Sequence, residues 1–175
     1  MSINNELAYM AEKLKFLKNK RVRYIGRAGN LLWIGIGEDV SNIDYKGKKR
    51  VFAKFSLHIQ CPFRILLNTK IIIGNNDIYE PNTEKIPLEN FNWESYGDSL
   101  FDKQVEKIAS ELYTNDVKVI DINLSLIGDL QIILSNNLCI ETFINGTSNS
   151  EMWRFFETGT DLPHFVKTGI NIEKE

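Results

Sequence analysis

Cysteine and histidine are scarce in this sequence, with two of each: Cys61, Cys139, His58 and His164. Two cysteines cannot form the disulfide framework that staples small secreted domains. A structural zinc site would have to recruit all four of these side chains. His58 and Cys61 are three residues apart, and on an extended strand such positions point to opposite faces. Neither a metal nor another cofactor is therefore expected. Long apolar runs are also missing: LLWIGIG is among the longest, far short of the roughly 20 residues of a membrane helix. The start, MSINNELAYMAEKLKF, has no apolar signal-peptide core. A soluble, cytoplasmic protein without a membrane partner is expected. The sequence also lacks a G-x-S-x-G elbow, an H-E-x-x-H helix, a P-loop and the kinase motifs, so no particular reaction is favoured.

What is present is an ordinary globular composition, 43% hydrophobic and 25% charged over 175 residues, which suits one domain spanning 1–175. The net charge of −2 hides an asymmetry. Residues 1–70 carry 14 Lys or Arg against 5 Asp or Glu, and residues 71–175 carry 7 against 18. Either the two halves present opposite surfaces, or they interleave and mix their charges.

Apolar residues Leu7, Met10, Leu14 and Leu17 recur at helical spacing and predict a helix over 4–18. A first β region follows over 21–74. Its clearest strand is 51–61, where Val51, Ala53, Phe55, Leu57, Ile59 and Cys61 alternate with Phe52, Lys54, Ser56, His58 and Gln60. Cys61 then belongs to the packed face and His58 to the polar one. Pro62 breaks the pairing, and FRILL and KIIIG read as a hairpin. Residues 38–49 read as a loop. Residues 75–97, with Pro81 and Pro87, read as a long irregular connection. Ser99-x-x-Asp102 reads as a capping box opening a helix over 99–114. A second β region, 117–168, completes the order; in it Ile120, Ile122, Leu124 and Leu126 alternate with Asp121, Asn123 and Ser125, which places Ile120 on the packed face. The fold class is α+β, with a mainly antiparallel, curled sheet, in half-barrel form if it bends far enough, and two packed helices.

The polar positions available for a site are His58, Gln60, Asp121 and Glu141 on strand faces, with Arg64, Arg154 and His164 near strand ends. A histidine beside a carboxylate can act as a base, and an arginine can hold an anion. One expectation is therefore a small-molecule-binding or hydrolytic domain with a polar pocket around His58 and Arg64. Arg21, Arg23 and Arg27 share a strand face, and KGKKR adds a second basic cluster, but the overall acidity argues against nucleic acid. The leading expectation is a non-catalytic binding protein. Trp93, Tyr96 and Trp153 supply candidate interface anchors. The acidic second half complements a basic protein partner, such as a secreted nuclease toxin, which would make this an immunity protein. The oligomeric state is left open.

As a set, SLHIQCPFRI, IIIGNNDIYEP, FNWESYGDSLFD and EMWRFF…LPHFV resemble a family of small bacterial proteins without an established activity. The resemblance spans about residues 20–168. It implies a single bacterial domain with these segments at its centre, and carries over no cofactor or catalytic residue. The step from there to toxin–immunity loci is analogy.

Overall fold

The computed structural model describes residues 3–44 and 46–174, and side chains within residues 6–171. It is α+β, as expected. Helix α1 (Ile3–Lys15) is followed by strands β1 (Val22–Ala28), β2 (Leu31–Ile43), β3 (Lys49–Ile59), β4 (Phe63–Leu67) and β5 (Lys70–Gly74). Helix α2 (Leu100–Thr114) leads into β6 (Val119–Leu124), β7 (Leu130–Leu134), β8 (Leu138–Thr142), β9 (Glu151–Glu157), β10 (Phe165–Thr168) and β11 (Ile172–Lys174). The strands form two antiparallel sheets rather than one. The first has the order β1-β2-β3-β9-β10-β11, and the second β5-β4-β8-β7-β6.

The chain changes sheets at the Cys61-Pro62 corner. The backbone N–H groups of Gln60 and Cys61 both donate to the Met152 carbonyl, and Phe143 N–H donates to the Pro62 carbonyl. Proline has no N–H to contribute to a ladder, so it suits the point where pairing passes from one sheet to the other. Cys61 is buried beyond the end of β3, in keeping with its alternation. One hydrophobic cluster runs through both sheets and both helices, from Met10 and Leu14 through Leu57, Phe101 and Ile140 to Trp153.

Three local expectations need correction. Residues 38–43 extend β2, and the hairpin back to β3 turns around Asp44, whose side chain accepts from the Lys46 and Lys48 amides. Polar side chains hid that extension, because this end of the hairpin is exposed. In β6 the pairing slips between Val119 and Asp121. A slip of one residue reverses the faces, so Ile120 is exposed while Val119 and Ile122 are buried. Strand β11 lies beyond the expected β region, paired to β10.

The charge asymmetry interleaves. Each sheet takes strands from both halves of the chain, and ion pairs link the basic half to the acidic one: Lys18–Asp121, Arg21–Asp116, Arg27–Asp102, Lys54–Glu157 and Arg64–Glu141. The three N-terminal arginines diverge. Arg21 donates to the Tyr113 carbonyl, Arg23 to Asp39, and Arg27 turns inward to Asp102. A register shift between Val22 and Tyr24 breaks the single face that regular alternation implies.

Candidate functional site

Four of the seven predicted pocket residues come together on the outer face of the first sheet. His58 of β3 lies directly opposite Arg154 of β9. Arg154 grips Glu151 through Nε, at 3.0 Å to both carboxylate oxygens, and through Nη2 at 2.5 Å. Its Nη1 donates to His164 Nδ1 at 3.0 Å. Arginine can only donate, so that nitrogen is the acceptor and the His164 proton sits on Nε2. Gln60 hydrogen-bonds Glu151. Phe156 joins the rings, stacked on His164 at 4.4 Å between centroids and edge-on to His58 at 5.0 Å.

The electrostatics keep this cluster quiet. Burial works to raise the Glu151 pKa, but Arg154, Gln60 and His58 outweigh it and hold the carboxyl below its usual range. The same Arg154 that stabilises the carboxylate discourages a second cation beside it. Burial lowers the His58 pKa; Arg154 and His164 push the same way, while Glu151 opposes them. Ser56 on the same strand bonds Thr158 Oγ1 at 3.1 Å. Burial pushes the Cys61 thiol up to about 11, so it is a packed thiol rather than a thiolate nucleophile. The arginine is paired, the acid is paired, and among the described residues no activated nucleophile adjoins the histidine.

A measurable consequence concerns pH. With the folded pKa of His58 below its ordinary 6.5, the unfolded chain binds the proton first as acid is added. Stability should therefore fall as pH drops below about 6.5 and level off below the folded pKa. Glutamine at position 58 should remove that component from a denaturation series between pH 7 and 5. An unchanged pH profile in the variant would assign it to other groups.

The remaining predicted pocket residues lie elsewhere. Arg64 and Glu141 pair with each other across β4 and β8 at 2.6 Å, with Gln131 donating to the same carboxylate. The Arg64 guanidinium lies 4.9 Å from the Phe143 ring centre. Asp121 is exposed to Lys18 at 2.9 Å. A single pocket of seven residues is thus divided among three places. The interface candidates divide as well. Trp153 is 0% exposed, and its Nε1 donates to the Gly128 carbonyl at 2.9 Å; it is core. Trp93 is half-buried against the Tyr79 ring, at 5.3 Å. Tyr96 is 73% exposed.

Tyr96 belongs to the irregular connection, which is strongly acidic. Residues 75–98 contain Asp77, Glu80, Glu84, Glu89, Glu94 and Asp98 against one cation, Lys85. Tyr79, Leu88 and Tyr96 are exposed among them. The segment has only two short 3₁₀ turns, Asn75–Tyr79 and Leu88–Asn90, yet it is tied down along its length. Ile78 is buried. Asn82 N–H donates to the Asp98 carbonyl at 2.7 Å, Leu100 N–H to Glu80 at 2.8 Å, and Lys85 Nζ to the Gly97 carbonyl at 3.1 Å.

The knot of these ties is Asp102, at the start of α2. It receives Arg27 Nε and Nη2 at 2.8 and 2.7 Å, Gly97 N–H at 2.9 Å and Ser99 Oγ at 2.9 Å. Ser99 in turn caps the helix, accepting from Asp102 N–H at 3.2 Å. The capping box was legible in Ser99-x-x-Asp102. Its partner Arg27, 75 residues earlier, was not. The same guanidinium also donates to the Ser95 and Gly29 carbonyls. Burial works to raise the Asp102 pKa, but these donors hold it below the usual carboxylate range.

Two clefts flank this region and α1. One of about 360 Å³ runs beside α2 past Tyr24, Trp33, Phe52 and Tyr96. Another of about 530 Å³ follows α1 and is walled by Tyr9, Phe16, Phe55, Phe155 and Phe165. Among the described residues no helix is long and apolar enough to cross a membrane. Set against known proteins, the chain matches no family model, no curated protein and no solved structure.

Proposed function

We propose that this is a non-catalytic binding protein that holds a basic protein partner through the 75–98 segment, the arrangement expected of an immunity protein. The observation that carries the reading is the fixed display of four exposed carboxylates, Glu80, Glu84, Glu89 and Glu94, around exposed Tyr79, Leu88 and Tyr96. Tyrosine supplies large contact area at low entropic cost, and exposed carboxylates such as Glu89 and Glu94 steer a cationic partner into place, while Glu84 is held by Lys103. Because the segment is held by buried hydrogen bonds before any partner arrives, little ordering entropy remains to oppose association. The His58 cluster supports the non-catalytic part of the reading, since its arginine and acid already satisfy each other.

The test is a parallel affinity selection from the producing cells, with wild-type protein and a Glu89→Lys, Glu94→Lys, Tyr96→Ala variant. The expected result is a basic protein retained by the wild type, released by moderate salt, and lost by the variant. Hydrogen exchange on the isolated complex should then show protection in 75–98. Equal retention by both proteins, or protection confined to another face, would overturn the reading.

A further inference from the structure

Lys167 sits on the inner face of the first sheet, opposite Trp153 in register, and is only 4% exposed. An ammonium group removed from water needs a counter-charge or a full set of acceptors. Its single hydrogen bond among the described residues goes to the Thr168 carbonyl at 2.6 Å, which leaves two N–H donors over. The charge of Asp129 is felt at this site, but that carboxylate is committed elsewhere. Its Oδ1 accepts from Ile144 N–H at 2.6 Å and its Oδ2 faces Ser125 Oγ at 3.4 Å. Burial accordingly lowers the lysine pKa from its ordinary value despite the pull of Asp129.

The surroundings are shaped to this stem. Gly128 has a φ of +99°, and a Cβ there would come within 2.4 Å of Lys167 Cε. Glycine suits the positive φ, and a Cβ here would displace the lysine stem passing beneath it. The Trp153 indole and the Ser125 carbonyl pin the turn from opposite sides, through Gly128 O and Gly128 N respectively. Yet the tip of this pinned turn shows its apolar residues to solvent: Leu126 is 89% exposed and Ile127 61%. Together with Leu7, Ile170, Asn171 and Lys167 they line a pocket of about 210 Å³. A buried cation short of acceptors therefore stands at the wall of a small pocket with apolar jaws.

We propose that this pocket binds a small aliphatic carboxylate. The carboxylate meets the Lys167 ammonium, with the Asn171 side-chain amide as a second donor, and the alkyl chain lies between Leu126, Ile127 and Ile170. A charge-assisted hydrogen bond of this kind supplies the anion that the buried lysine lacks. The inference is independent of the acidic segment, since it uses none of its residues.

Hexanoate is the probe, titrated into the whole protein while amide resonances are followed by NMR. The expected result is saturable shifts centred on Gly128, Gly169 and Ile170, at concentrations up to about 10 mM, where weak single-site ligands are read. Lys167→Met, which keeps the apolar stem, should weaken hexanoate at least tenfold while its spectrum stays dispersed. Asn171→Leu, at the rim, serves the same purpose if the methionine variant does not fold. Hexylammonium should shift none of these resonances. Absence of saturable shifts with hexanoate, equal shifts with hexylammonium, or undiminished binding in the folded variants would each overturn the proposal.

Discussion

Replacing Arg27 with alanine should destabilise the protein by about 3–5 kcal/mol, the range found when one partner of a buried ion pair is removed. Both side chains of the Arg27–Asp102 pair are almost wholly buried. Without the guanidinium, Asp102 keeps only Ser99 and the Gly97 amide as donors, and the Ser95 and Gly29 carbonyls lose theirs. Urea denaturation gives the size of the loss through the transition midpoint. Hydrogen exchange gives its location: protection should fall first at Gly97 and across 80–99, ahead of the strands. Exchange that accelerates uniformly would mean that Arg27 supports the whole fold rather than this segment. Replacing the pair together by Arg27→Met and Asp102→Leu should recover much of the stability, since no buried charge is then left alone.

The same pair has a pH signature, opposite in origin to that of His58. Asp102 titrates below its ordinary value of 3.8 in the folded protein. Its contribution is fully present above the unfolded pKa and disappears as pH falls through the folded one. The wild type should therefore lose stability steeply below about pH 4, and the Met–Leu double variant less so.

Trp153→Ala should cost a similar amount, about 3–5 kcal/mol, as a buried aromatic truncated to a methyl group. The loss combines the cavity left in the shared core with the broken bond to the Gly128 carbonyl. Tyr96→Ala, by contrast, should change stability by no more than about 0.5 kcal/mol, as expected of an exposed position. Thermal or urea unfolding of the two variants side by side separates core from interface. A large loss at Tyr96 would show it to be structural and remove it from the binding surface.

What could be read in the sequence follows the reach of each signal. The alternation of β3 from Ala53 onward, the helical spacing of α1 and the Ser99–Asp102 cap are local patterns that appear in the structure, whereas Val51, read onto the packed face, is 63% exposed at the open end of the hairpin. The pattern misled where the backbone slipped: the irregularity after Val119 turned Ile120 outward. Pairing between distant strands was beyond it altogether. His58 and Arg154 are neighbours only because β9 returns to β3 after the chain has built the second sheet. Glu151 and Phe156, which complete that cluster, carried no local mark distinguishing them from other strand residues. Trp153 looked like an interface anchor because aromatic content alone does not say which way a side chain points.

The corner at Pro62 has a consequence for synthesis on the ribosome. The chain leaves the first sheet after β3 and does not return until β9, so β3 keeps an unpaired edge while about ninety intervening residues are made. Edges of this kind invite pairing with other chains, and contacts so far apart in sequence close slowly. The stretch that β9 later covers is Phe55–Ile59, and Lys54 and the run Lys48, Lys49 and Arg50 lie just ahead of it on the same strand. Repulsion between neighbouring nascent chains guards the one strand that must wait longest for its partner.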